Sequence, residues 1–194
     1  MNPTPEPDWR SAPVSRPASR TGKDNDATLP ARIAARAAAP DPPVRIRQAT
    51  ASDRPALAQM VARCSEQTLA RRFHLHARGI PEPYLTEALT GAPGHFALIA
   101  QADETVMALA SCVAADCGNA DIAVLIEDSW QRLGIGTLLL DLLVAHADHN
   151  GLPRLKATVL ASQAWALPVL GGYGTCEAWL RDGVFDVTLH RKRQ

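Results

Sequence analysis

The chain has 194 residues, enough for one substantial core, and its 20 basic side chains are balanced by 20 acidic ones, so no excess positive field draws it to nucleic acid or to an anionic membrane. Its four cysteines, Cys64, Cys112, Cys117 and Cys176, form no CxxC pair and are too scattered for a secreted disulfide framework. No apolar run approaches the roughly 20 residues of a membrane helix, and the N-terminus lacks a signal-peptide layout, so the expectation is a soluble, cytoplasmic protein.

Residues 1–43 hold nine of the fifteen prolines, with Ser, Arg and Ala between them and almost no apolar periodicity. Such a stretch buries too little to offset its ordering entropy, so it is expected to be a disordered tail ahead of one domain spanning 44–194. The piece ARIAARAAA favours a short helix by propensity, but its composition reads as a solvated linker. Order begins with VRIRQAT at Val44, which alternates as a half-buried strand does. Thr50 and Asp53 have capping-box spacing, Pro55 suits a first turn, and Leu57, Met60, Val61 and Cys64 recur at helical intervals. SEQTLARRFH and PEPYLTEALTG predict two further short helices, the second opened by Pro81 or Pro83 and closed by Gly91. HFALIAQ (95–101) and TVMALASCV (105–113) predict an antiparallel hairpin around Ala102–Glu104. ADIAVLIE (120–127) is continuously apolar, as a strand covered on both faces should be. A long helix follows WQRLGIG, then a strand at 154–160, a weak helix in SQAWALPVLGGYG, and a closing strand at 184–190. The pattern implies a mixed α/β fold, a sheet of about six to seven strands with helices on both faces.

Between the buried strand and the long helix, Gln131, Arg132, Leu133, Gly134, Ile135, Gly136 and Thr137 turn the chain and begin a helix whose first amides lack intrahelical acceptors. Glycine permits positive φ and close approach of an external group, and the helix N-terminus carries about half a positive charge. Such a turn suits a diphosphate, although a lone GxG serves an ordinary strand-to-helix turn equally well. Neither standard nucleotide loop fits: position 139 is Leu where GxGxxG needs its third glycine, and Gly136 is followed by Thr137 with no lysine.

Gln131, Gly134 and Gly136 match the acyl-CoA loop of the GNAT acetyltransferases position for position, and the chain from about 44 to 190 resembles that family in element order. SEQTLARRFH and ADIAVLIEDSWQRLGIG resemble bacterial, especially actinobacterial, members close to protein-lysine acetyltransferase domains. The resemblance implies the GNAT fold and an N-acetyltransferase that moves the acetyl group of acetyl-CoA directly to an amine, a protein lysine or a small molecule, in a ternary complex. It also implies backbone contacts to the cofactor near Leu125 and Ile126, and a base where relatives carry an early-strand glutamate, here Asp121. Glu127, at the strand's other end, is the second candidate, and both carboxylates are equally readable as solvated strand ends. Many members place Asn and, seven residues on, Tyr after the fifth strand; here those positions are Gln163 and Leu170, with Tyr173 three further along. Tyr173 is thus a candidate for protonating the thiolate or a rim aromatic, and Gln163 a cofactor neighbour. These departures, with Pro168 inside the helix, support an alternative: a degraded module that binds acyl-CoA as a sensor.

His146 and His149 form an HxxH without a third ligand, so no metal is expected. His74 and His76 with Arg71 and Arg72 line the substrate side or a solvated face. Trp130 is expected to buttress the loop, Trp165 and Trp179 to lie in the core, and Cys112 and Cys117 to be inert. The acceptor and the oligomeric state have no readable signature, and an oligomer fits as well as a monomer.

Overall fold

The computed structural model describes residues 43–73, 79–115 and 118–191; residues 1–42 of the expected tail, His74, His76 and Cys117 lie outside the described residues. In chain order the elements are β1 (Val44–Gln48), α1 (Arg54–Arg63), α2 (Glu66–Phe73), α3 (Glu82–Thr90), β2 (His95–Ala102), β3 (Thr105–Ala115), β4 (Asn119–Ile126), α4 (Ile135–His149), β5 (Arg154–Leu160), α5 (Ala166–Gly171), β6 (Thr175–Arg181) and β7 (Val184–His190). The strands make one sheet ordered β1-β2-β3-β4-β5-β7-β6, in which only β4 and β5 run parallel.

Strand alternation divides the core in two. Ile99, Leu109 and Leu125 meet Leu57, Met60, Leu69 and Leu89 from α1, α2 and α3. Their neighbours Leu98, Ala108, Ala110 and Ile122 face Ile135, Leu139 and Leu143 of α4. The sheet is therefore covered on both sides where β4 runs, as its continuous apolar sequence requires.

Local chemistry accounts for the element ends. The Thr50 amide donates to Asp53 Oδ2 at 2.8 Å, fixing the 3-10 turn Ala51–Asp53 that leads into α1. Arg47 clamps the same carboxylate with bonds of 2.8 and 2.6 Å. These Arg47 bonds, aided by Thr50, prevail over burial and hold the Asp53 carboxyl at about 2. At the end of α3, Gly91 adopts φ +62°, the left-handed cap that terminates the helix. His146 of α4 stacks on Phe96, rings 3.8 Å apart, and burial lowers its pKa, with His149 adding to the effect.

Two expectations are corrected. Thr175–Arg181 forms a seventh strand where the sequence suggested only a weak helix and a loop; Cys176 and Ala178 alternate half-buried with exposed Thr175, Glu177 and Trp179, an apolar stripe of two small residues. Trp165 and Trp179 are not core residues: they are 69% and 54% exposed, because α5 is short and β6 is the outermost strand.

Candidate functional site

The parallel strands β4 and β5 pair at only three positions, Asn119 with Arg154, Ala120 with Leu155 and Asp121 with Lys156. Beyond them β4 stays with β3 as far as Ile126 while β5 follows β7 as far as Leu160, so the two strands part and leave a gap. The Glu127 amide donates to Met107 O at 2.9 Å. By antiparallel alternation, Leu125 then shares the β3 ladder with Leu109, while the main-chain groups of Val124 and Ile126 turn toward the gap. Strand parity therefore gives Val124, a residue sequence reasoning passed over, the place expected for Leu125.

The glycine turn sits at the open end of this gap. Gln131 N bonds to Asp128 O, and Thr137 N and Leu138 N both bond to Gly134 O. The amides of Arg132, Leu133, Gly134, Ile135 and Gly136 lie outside those main-chain bonds, as the first turn of a helix dictates. Gly134 has φ +85°, so a side chain there would be strained although space is open around it. A Cβ on Gly136 would stand 3.3 Å from Ile126 Cδ1, which shows how closely the helix start approaches the end of β4. Leu133 is half exposed beside the turn, Thr137 follows within α4, and Gln163 ends a 3-10 turn just after β5, at the same end of the sheet.

Side chains fasten this turn to α1 and α2. Gln131 Nε2 donates to Ile126 O at 2.9 Å and to Thr68 Oγ1 at 3.2 Å. Asp128 accepts from Ser65 N, Ser65 Oγ and Thr68 Oγ1, each at 2.8 Å. Burial pushes the Asp128 carboxyl up, but these bonds together prevail and hold it below its ordinary value. Glu127 is 7% exposed; its Oε2 takes Arg63 Nε at 2.8 Å and its Oε1 takes Ser129 Oγ at 2.9 Å. Arg63 also donates to Val106 O at 2.7 Å, so Glu127 is the centre of a brace from α1 to β3. Asp128, Ser65, Thr68 and Arg63 were not singled out by sequence; their only signal was polarity near helix ends.

Asp121 is exposed and shares by parity the sheet face of Leu125, the side covered by α1, α2 and α3, with Lys156 beside it on β5. The two carboxylates thus differ in kind: Asp121 is open to solvent, Glu127 is enclosed. Tyr173 Oη donates to Asp141 Oδ1 at 2.7 Å, which holds the phenol against α4. On the α3 side, Tyr84 Oη donates to buried Ser111 at 2.7 Å, and the Arg72 guanidinium lies over the rings of Phe73 and Tyr84 at 4.7 and 5.1 Å. Burial pushes the Cys64 and Cys112 thiols up to about 11, which fits inert cysteines. Trp130 packs against the core beside the turn. Among the described residues no group of three or more His, Cys, Asp or Glu could hold a metal ion, and no helix is long and apolar enough to cross a membrane.

The acetyltransferase (GNAT) family model matches residues 63–171, which include the gap, the glycine turn and both candidate carboxylates. No curated protein matches the chain. Among solved structures, the GNAT domain of S. lividans PAT is similar at 20% identity with a TM-score of 0.68, over 76% of this chain and 90% of that one. The PaiA N-acetyltransferase from Thermoplasma acidophilum, in complex with coenzyme A, is similar at 14% identity and a TM-score of 0.60, over 76% and 98% of the two chains. The yncA protein from Salmonella typhimurium, solved with acetyl-CoA, is similar at 16% identity and a TM-score of 0.60, over 78% and 95%.

Proposed function

Because the chain belongs to the acetyltransferase (GNAT) family and is thereby an acyltransferase, we propose that it carries the acetyl group of acetyl-CoA directly to an amine, on a protein lysine or a small molecule, within a ternary complex. One observation carries this reading: the β4–β5 gap ends at a turn whose amides from Arg132 to Gly136 have no main-chain acceptor among the described residues. Those amides, at the positive end of α4, suit the diphosphate of the coenzyme. The main-chain groups of Val124 and Ile126 suit its amide-bearing arm and the thioester oxygen, with Gln163 alongside. The similar structures solved with coenzyme A or acetyl-CoA support this choice of donor.

In the reaction a neutral amine nitrogen attacks the thioester carbon, the carbon–sulfur bond breaks, and the products are an acetamide and the coenzyme thiol. Asp121 receives the amine proton, directly or through water, since its carboxylate is exposed at the base of the gap. Glu127 instead positions the turn through Arg63 and Ser129. Solvent protonates the departing thiolate, because the Tyr173 hydroxyl is engaged by Asp141. Residues 1–43 serve as a tail outside the catalytic domain of residues 44–194, and the protein acts in the cytoplasm.

The test has two stages. Titration with acetyl-CoA, read by heat and thermal shift, is expected to show saturable binding; its absence refutes the reading. Free thiol is then measured with lysine peptides and with small amines, and labelled acetyl-CoA in lysate shows which kind of acceptor takes the label. Binding without thiol release across that panel would make the chain an acyl-CoA sensor instead.

A further inference from the structure

Arginine supplies seventeen of the chain's basic side chains and lysine only three, Lys23, Lys156 and Lys192. The difference matters beside an acyl donor, because a guanidinium keeps its proton whereas a lysine amine can lose one and become a nucleophile. Lys23 and Lys192 lie outside the described residues, while Lys156 stands within β5. Leu155 and Val159 of that strand enter the core beside α4, so by alternation Lys156 and Thr158 point to the opposite side of the sheet. On that side α1, α2 and α3 pack over β2, β3 and β4, and among the described residues none from β5, β6 or β7 joins their core. Lys156 is accordingly exposed, and no hydrogen bond or ion pair with a described residue holds its ammonium.

We propose that Lys156 is a self-acetylation site, taking the acetyl group of the coenzyme bound in its own chain. The inference rests on the acetyl-transfer reading above and adds to it an acceptor within the molecule. Lys156 pairs with Asp121 at the last rung before β4 and β5 part, and paired residues of adjacent strands present their side chains on one face. Adjacent strands lie about 4.8 Å apart, and an extended lysine arm reaches roughly 6 Å from its own Cα. An amine whose proton passes to Asp121 therefore occupies a place that the Lys156 nitrogen reaches by rotation of its side chain. In the step, neutral Nζ attacks the thioester carbon and the carbon–sulfur bond breaks. The Nζ proton passes to Asp121, directly or through water, and solvent protonates the departing thiolate. The products are the acetamide of Lys156 and the coenzyme thiol. Once acetyl-CoA is bound the attack is unimolecular, which favours this tethered amine over a lysine met by diffusion.

The test incubates the full chain with labelled acetyl-CoA and no added amine, then follows each lysine by peptide mass mapping. Lys23 and Lys192 report the background of uncatalysed acetylation. Lys156 is expected to gain label at least about tenfold faster than either, with a rate per chain that does not change on dilution of the protein. Neither comparison needs a mutation. In Asp121→Asn and Gly136→Glu, shown to be folded by circular dichroism, the label on Lys156 is expected to fall to that background. Mixed with wild type, Gly136→Glu is expected to stay at background too, since the transfer is within one chain. Label on Lys156 that only matches Lys23 and Lys192, persists in either variant alone, appears on the mixed variant, or accumulates faster per chain in concentrated protein overturns the proposal. A chain that binds acetyl-CoA and yields thiol with added amines while Lys156 stays unlabelled overturns this proposal alone. Failure to bind acetyl-CoA overturns the transferase reading with it.

Discussion

Replacing Glu127 by alanine separates the two roles a carboxylate beside the glycine turn can have. The side chain is 7% exposed and holds Arg63 Nε at 2.8 Å and Ser129 Oγ at 2.9 Å. A hydrogen bond to a charged group contributes about 1.5–3 kcal/mol, and Arg63, 37% exposed, recovers part of the loss from water. The net loss is then about 2 kcal/mol, or a Tm lowered by about 4–8 °C for a domain of this size. Glu127→Gln keeps an acceptor for Arg63 and a partner for Ser129 and is expected to lose about half as much. Both variants loosen the turn, so acetyl-CoA affinity weakens, while the low-pH limb of kcat/KM stays because the proton acceptor is elsewhere. Differential scanning fluorimetry and pH–rate profiles check this together. If Glu127→Gln left Tm unchanged, removed that limb and lowered kcat/KM by about a hundredfold, Glu127 would be the base and the argument from enclosure would fail.

Asp121→Asn is expected to lower kcat by about a hundredfold with acetyl-CoA affinity unchanged, and an unaltered rate across pH would assign the base to another group. Gly136→Glu puts bulk and negative charge against Ile126 at the start of α4, so calorimetry is expected to find no acetyl-CoA binding by a folded protein; wild-type affinity would contradict the phosphate cradle. Asp53 is held at about 2 against an ordinary 3.8, so its contribution of about 2 kcal/mol is present above pH 4 and disappears as pH falls through 2. The stability difference between wild type and Asp53→Asn, from denaturant melts, should shrink over that window and would be flat if Arg47 gave no support. Removing residues 1–43 is expected to leave acetyl-CoA binding intact, and its loss on deletion would assign the tail to the site.

Much of the fold is legible where local chemistry and burial agree. Thr50 with Asp53, Gly91 and the apolar run of β4 each appear where their residue types place them, and the hairpin turn is Asp103–Glu104, with Ala102, expected in the turn, ending β2 instead. The glycine turn was legible for the same reason, since positive φ at Gly134 favours the missing side chain and at Gly136 a Cβ would crowd the tip of Ile126. What escaped depends on neighbours far along the chain. β6 exists by pairing with β7 and has only a half-buried stripe of two small residues, and tryptophans that hydrophobicity assigns to a core remain outside because the sheet ends there. The parity that turns the main-chain groups of Val124, and not those of Leu125, toward the gap is set by β3, and the enclosure of Glu127 by Arg63, sixty-four positions earlier. No periodicity in the local sequence encodes either.

Among the described residues seven strands share one sheet, and the ladder between its first four strands and its last three has three residue pairs. Past Asp121 and Lys156 the two leaves of the fold lack rungs, and α4 bridges them only at one side. A molecule lying in the cleft with amides of its own would behave as a surrogate strand, supplying rungs beyond Asp121 and Lys156. Ligand uptake would then make the whole sheet melt as one body, tying occupancy to mechanical integrity as well as to chemistry.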